Sequence, residues 1–284
     1  QTIVIEAATT CGFREQGKKR DIMRSSSFGL GEMIAHVLDH GYRKIEIALG
    51  GTAINDGGMG MLCALGVKFL DNAGQPLEGN GENLIRIASV DLCSLHPGIS
   101  KATLISLCDV QNPLLGETGS SYIYARQKGA SDEQIELLER GMTNYAKRTQ
   151  EATGQDCAAV PGLGAAGGLG YALHVYCKAS VASGIETVLQ ESGFLRRLSR
   201  ASLVITGEGS FDEQSNQFGK TVQGILNHCQ NRNVPLAIIS GRSEQGISKL
   251  MPVQGWGAIT CVHSPITEKF SRENAIPLLD EAAD

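Results

Sequence analysis

Apolar residues recur along this chain with helical spacing in some stretches and as short continuous runs in others. From Ser27 to His40, Phe28, Ile34, Val37 and Leu38 share one helical face, which predicts a helix. Lys44 to Leu49 reads as a strand, Gly50 to Gly60 as a glycine-rich loop, and the chain from Met61 as a helix. Thr103 to Cys108 is a second buried strand that ends at Asp109. Ser131 to Glu151 carries the fullest helix pattern. Ser131 stands at its N-cap, Gln134 closes a capping box, and Ile135, Leu138, Met142 and Tyr145 lie on one side. Val160 to Gly170 is a glycine loop that feeds a helix from Leu169 to Cys177.

After about residue 200 the pattern changes. Leu203 to Thr206, Leu236 to Ser240 and Ala258 to Cys261 are short apolar strands, with a helix from Lys220 to Asn231 between the first two. Strand, helix, strand is a βαβ unit with a parallel sheet. The chain is therefore expected to be α/β with two domains. Residues 1–199 make a mixed α/β domain with glycine-rich loops; residues 200–284 are part of a Rossmann-like, doubly wound domain. Two strand-like and helix-like patterns are cut by the ends: Thr2 to Glu6 is a strand already under way, and Ile276, Leu278, Leu279 and Ala282 begin a helical face that stops at Asp284. A segment of a longer protein is expected, with the missing strands of the second sheet before Gln1.

Composition narrows the chemistry. Glycine supplies 35 of 284 residues and aromatics only 5%, which favours tight turns bringing backbone near a small ligand over a base-stacking platform. The net charge is −5, with no basic block, so nucleic acid is not expected as a partner. No apolar stretch is long enough for a membrane span. The eight cysteines are scattered without a C-x-x-C pair, as suits reduced thiols in a cytoplasmic protein.

Two near-fingerprints fall away on context. Gly162 to Gly167 spells G-x-G-x-x-G, but no buried strand precedes it and Pro161 adjoins its first glycine, which argues against dinucleotide binding. Gly219-Lys220-Thr221 resembles the end of a P-loop, yet Gln214 stands where that loop needs glycine.

Three loops at strand ends carry more weight. Gly50 to Gly58 follows a strand and opens a helix, so free N–H groups there suit an anion, and Asn55 and Asp56 suit a hydroxyl or a metal. The same residues also make a tight turn. Asp109 and Asn112 lie just past a strand, where a carboxylate holds Mg²⁺ or accepts a proton, although both are common turn residues. Glu208 and Asp212 follow the strand at Leu203 to Thr206, and Lys220 begins the next helix, a set suited to metal-bound phosphate. The glycines at 162–168 serve anion binding or close helix packing. His36, His40, His174 and His228 fall on predicted helices without evident partners.

Six segments in register resemble the bacterial class I glycerate kinases: Gly50 to Gly58, Cys108 to Leu114, Gln127 to Ala130, Pro161 to Gly170, Ser183 to Glu186 and Thr206 to Ser215. The resemblance implies ATP-dependent phosphorylation of D-glycerate with Mg²⁺, on a two-domain α/β fold, with 2-phosphoglycerate favoured as product. It implies ATP contacts at Gly50, Gly51, Asn55, Asp56, Gly57, Gly164, Gly167, Gly168 and Glu208. Ser25, Ser26, Ser27, Asn112 and Lys128 are then expected at the substrate. Asp212, Asp109 and Lys220 are expected at the reacting groups, and Asp109, Glu208 and Asp212 at the metal. A homodimer is an accompanying expectation. The chain departs from the family pattern at Thr52, Ile54, Ala125-Arg126 and Val222, and the family's Asp-Ser-x-Lys stretch falls before Gln1. The alternative from another class is a non-catalytic, small-acid-binding or regulatory relative of the same fold.

Overall fold

The computed structural model describes residues 1–13, 21–208, 220–240 and 256–260. Its contacts divide the chain into two compact units, Gln1–Gly184 and Ile185–Asp284. The sequence pattern places the change of style near residue 200; two short helices ahead of that point pack with the second unit.

In the first unit, β1 (Thr2–Glu6), α1 (Ala8–Cys11), α2 (Phe28–Asp39), β2 (Lys44–Ala48) and α3 (Met59–Ala64) are followed by the short strands β3 (Lys68–Leu70) and β4 (Ser89–Asp91). Then come β5 (Thr103–Leu107), α4 (Ser120–Tyr124), α5 (Asp132–Thr153), α6 (Ala165–Cys177) and β6 (Ser180–Ala182). β1, β2, β5 and β6 form one parallel sheet in that order, with Ile45 beside Ile3 and Leu104, and Ala48 beside Glu6 and Leu107. The order runs one way only. Right-handed crossovers that always step in one direction leave their helices on a single face. Accordingly Ile5, Ile45, Ile47 and Leu104 join α2 and α6 in one core, through Leu30, Ile34, Leu38, Leu169 and Leu173. On the other face Val4, Thr2, Lys44 and Thr103 are exposed.

The α5 helix forms for the reasons its sequence announces. Ser131 Oγ accepts the Gln134 N–H, the Gln134 side chain returns to the Ser131 N–H, and Gly154 closes the helix at φ 73°. Its apolar side, including Ile135, Leu138, Met142 and Tyr145, is buried. The antiparallel pair β3–β4 and the strand β6 have no sequence expectation behind them. Three residues are too few to show alternation.

The second unit holds α7 (Gly184–Glu191, which begins at the boundary), α8 (Phe194–Leu198), β7 (Val204–Glu208), α9 (Lys220–Asn231), β8 (Leu236–Ser240) and β9 (Trp256–Thr260). The three strands are parallel in the order β7-β8-β9, with Val204 beside Leu236 and Leu236 beside Trp256. This is the parallel βαβ arrangement that the spacing predicts. Leu189, Leu198, Val222, Ile225, Leu226, Cys229, Leu236 and Ile238 make its core. Two expectations need correcting. β7 runs through Glu208, so Glu208 is the strand's last residue rather than a loop residue beyond it. His228 is partnered: its Nε2 lies 2.7 Å from Glu186 Oε2 on α7. The His40 and His174 rings likewise bond to backbone, at His36 O and Ala179 O.

Candidate functional site

The carboxyl ends of β2, β5 and β6 lie side by side, and ligands of parallel sheets bind at that edge. Leu49 N–H donates to Leu107 O at 3.2 Å and Cys108 N–H to Ala182 O at 2.9 Å, so Gly50, Asp109 and Ser183 follow in adjacent positions. Gly50 and Gly51 are exposed, and their N–H groups donate to no partner among the described residues. Asp109 Oδ1 accepts from Ser183 Oγ at 2.8 Å and from Gly184 N–H at 2.9 Å. Its Oδ2 carries no hydrogen bond among the described residues.

The loop from Thr52 to Gly60 turns inward. Every residue in it is buried. Asp56 is fully buried and collects four donors: Ser27 N–H and Ser27 Oγ at 2.7 Å, Gly58 N–H at 3.0 Å and Gly60 N–H at 3.1 Å. Ser27 Oγ in turn accepts from Met61 N–H at 2.8 Å, and Met59 N–H goes to Asp56 O at 2.9 Å. These are the N–H groups of the first turn of α3, which the sequence offers to a bound anion. In the folded chain Gly58 and Gly60 donate to the Asp56 carboxyl group instead, while Met59 and Met61 donate to Asp56 O and Ser27 Oγ. Burial pushes the Asp56 pKa up, while its donors from Ser27, Gly58 and Gly60 work against that.

The three serines ahead of α2 are committed to nearby groups. Ser25 Oγ donates to Asp21 O at 2.8 Å, Ser26 Oγ donates to Gly79 O, and Ser27 Oγ donates to Asp56. They fasten the segment before α2 to the rest of the unit.

Lys128 is brought to the same place from 74 residues away. Its side chain is buried, and Nζ donates to Ile54 O at 2.7 Å. Burial pulls its pKa down to about 8, against the attraction of Asp56. Beside it Asn55 is fully buried, with Ser120 Oγ donating to Asn55 Oδ1 and Asn55 Nδ2 donating to Ser121 Oγ, both at 3.3 Å. Ser120 and Ser121 carry no sequence expectation. Their position just after Gly119, where a helix begins, is the only local signal.

The glycine loop at 162–168 closes the arrangement. Gly57 N–H donates to Gly167 O and Gly164 N–H to Asn112 O, each at 2.9 Å. Asn112 Nδ2 donates to Thr118 O at 2.9 Å, and its Oδ1 accepts from Tyr124 OH. Ala166, Gly167 and Gly168 all have φ between 55° and 88°. A Cβ on Gly167 would stand 2.2 Å from Ile54 O, so only glycine lets the two loops meet so closely.

Thus Asn55, Asp56, Gly57, Gly167, Lys128 and Ser27 converge in one buried polar cluster. Gly50, Gly51, Asp109, Asn112 and Gly164 adjoin it along the sheet edge. Asp212 lies outside the described residues, as do the side chains of Glu208 and Lys220.

Comparison with known proteins gives consistent matches. The family model for the glycerate kinase family matches residues 1–284. A glycerate kinase of Bacillus cereus is 38% identical over 282 residues, covering 99% of this chain and 73% of the relative. A glycerate 2-kinase of Escherichia coli K12 is 38% identical over 242 residues, covering 85% of this chain and 63% of the relative. A crystal structure from Salmonella typhimurium LT2, of a protein assigned as a glycerate kinase 2, superposes with a TM-score of 0.78 at 34% identity. That match covers 99% of this chain and 75% of the other.

Proposed function

The chain belongs to the glycerate kinase family, and we propose that it transfers the γ-phosphoryl group of ATP to D-glycerate, at the 2-hydroxyl in preference to the 3-hydroxyl. Support for the position comes from the Escherichia coli relative, a glycerate 2-kinase. The observation that carries the reading is the convergence of the family-like segments 50–58, 108–114, 127–130 and 161–170 through direct hydrogen bonds. The departures at Ile54, Ala125 and Val222 are fully buried packing positions.

Phosphoryl transfer asks a protein for positioning and charge stabilisation more than for covalent chemistry. Gly50 and Gly51 offer N–H groups without partners among the described residues to phosphate oxygens, and Gly164, Gly167 and Gly168 allow a close backbone approach. Lys128 supplies a cation for the carboxylate of the acid, and Asn112 fixes the neighbouring loop. Ser25, Ser26 and Ser27, proposed near the substrate, donate their hydroxyl protons to Asp21 O, Gly79 O and Asp56 and keep acceptor lone pairs. Asp109 fits a Mg²⁺ ligand, since it is a hard oxygen donor with one oxygen not engaged by described residues. Bound Mg²⁺ neutralises phosphate charge. Glu208 and Asp212 complete the proposed metal set, with Asp212 and Lys220 near the transferred group. A cytoplasmic homodimer without nucleic-acid or membrane partners accompanies this proposal. No described helix is long and apolar enough to cross a membrane.

The test is ADP release in the presence of D-glycerate and ATP, with ³¹P NMR to separate 2- from 3-phosphoglycerate. Glycerate binding without ADP release would leave a non-catalytic relative instead. Asp212→Asn is expected to lower kcat by about a hundredfold, the scale of one lost electrostatic contact in a transition state. Near-normal turnover in that variant would remove Asp212 from the site.

A further inference from the structure

A buried ammonium normally has its donors taken up by partners, because leaving them unmade in a dry site is costly. Lys128 departs from this. It is 4% exposed and donates one hydrogen bond, to Ile54 O, so that among the described residues its other donors meet no acceptor. The Asp56 side chain does not take up these donors either. Asp56 exerts an attraction on Lys128, yet the two make no contact ion pair, and the Asp56 oxygens are filled by Ser27, Gly58 and Gly60. The titratable groups that act on Lys128 are Asp56, from the loop before α3, and Cys11, from α1. Burial pushes the Cys11 thiol up to about 11, so it is neutral near pH 8.

A carboxylate that attracts a lysine through space while its own oxygens are occupied leaves that lysine's N–H groups available to a second anion. Stability alone gives no reason for the arrangement, since an apolar residue usually serves a core at least as well as a buried ion pair. We propose that Asp56 is a positioning residue for acid recognition: its field keeps Lys128 charged, its four hydrogen bonds keep it from closing on Lys128, and the unspent Lys128 donors receive the substrate's carboxylate. The proposal rests on the kinase reading above and deepens it. Asp56 itself touches neither substrate.

The consequence is a pH dependence with a definite sign. Lys128 binds a carboxylate only while protonated, and its pKa is lowered to about 8. The KM for D-glycerate is therefore expected to rise as pH increases through about 8, with kcat at saturating glycerate and the KM for ATP changing little. Asp56→Asn keeps the shape but removes the charge that favours the ammonium. In this variant the rise should begin at lower pH, and at pH 8 the KM for D-glycerate should be about tenfold higher if the midpoint falls by slightly more than one unit, because more of the lysine is then neutral. Lys128→Met should show a raised KM at every pH and no step.

The titration of Lys128 is also measurable without substrate, by NMR of lysines labelled with ¹³C at Cε in the full protein. The expected result is a midpoint near 8, absent in Lys128→Met and lowered in Asp56→Asn. A wild-type midpoint at the ordinary lysine value, or an Asp56→Asn midpoint that does not move, overturns the inference. If Asp56→Asn does not fold, the wild type decides: a glycerate KM that stays flat from about pH 7 to 9.5 overturns it, given the lysine pKa range involved. A wild type that titrates as expected but never turns over D-glycerate overturns the kinase reading, and with it the substrate named here, while leaving the Asp56–Lys128 coupling standing.

Discussion

The loops at 50–58 and 162–168 are both rich in glycine and meet at one hydrogen bond, from Gly57 N–H to Gly167 O. They are held by different means. The first is organised around a charge: Asp56 sits at its centre and gathers donors from Ser27, Gly58 and Gly60, with Lys128 above Ile54 O. The second holds no charged side chain. Its shape comes from three successive residues with left-handed backbone, Ala166, Gly167 and Gly168, a conformation that disfavours any Cβ. The comparison teaches that a glycine count does not tell what a loop does. The stretch with the better-known fingerprint spacing supplies close approach, and the stretch with ordinary polar side chains supplies the electrostatics.

The sharpest way to break this distinction is to remove the charge. Asp56→Ala leaves four buried donors unpaired and Lys128 without its compensating carboxylate. The expected cost is roughly 3–5 kcal/mol, the range for one half of a buried charged pair. It should be accompanied by faster amide exchange in α3 and at Ser27. A loss below about 1 kcal/mol in urea unfolding would put Asp56 on a level with an ordinary surface substitution and end the claim that charge holds this loop.

The second loop is tested by adding a methyl group. Gly167→Ala sets a Cβ 2.2 Å from Ile54 O and 2.7 Å from Asn55 Cα at a φ of 70°. Overpacking and left-handed strain together should cost about 2–4 kcal/mol. Because the clash falls on Ile54 and Asn55, the first loop should loosen as well, visible as exchange at Gly57 and Gly58. Unchanged stability would mean that the two loops do not constrain one another.

The smallest effect has the opposite sign. Ala166 holds φ 55° without being glycine, so Ala166→Gly should relieve strain and raise stability by about 0.5 kcal/mol after the added freedom of the unfolded chain is deducted. Destabilisation by this change would show that the Ala166 methyl group is needed for packing, and that the loop is held by more than backbone geometry.

What was legible in the sequence was whatever repeats locally. The apolar face of α5 and its Ser131–Gln134 capping box, the α2 helix, and the β7–α9–β8 unit all follow from neighbours within a few residues, and the folded chain has each of them. So was the placement of Gly50, Asp109 and Asn112 just past strand ends, because a strand's end is a local event. Three-residue strands such as β3, β4 and β6 were not, since they are too short to carry a period. The tertiary structure alone decided where the polar side chains point. Asp56 reads in sequence as a residue offered to a ligand at a helix start; folded, its side chain accepts from Ser27, 29 residues away, and from the Gly58 and Gly60 N–H groups. Lys128 is expected at the substrate through the resemblance alone, and its burial follows from a side chain that reaches Ile54 across 74 residues. Hydrogen-bond satisfaction is settled by partners distant in the chain, and burial, which sets the charge state of each group, is a property of the packed whole.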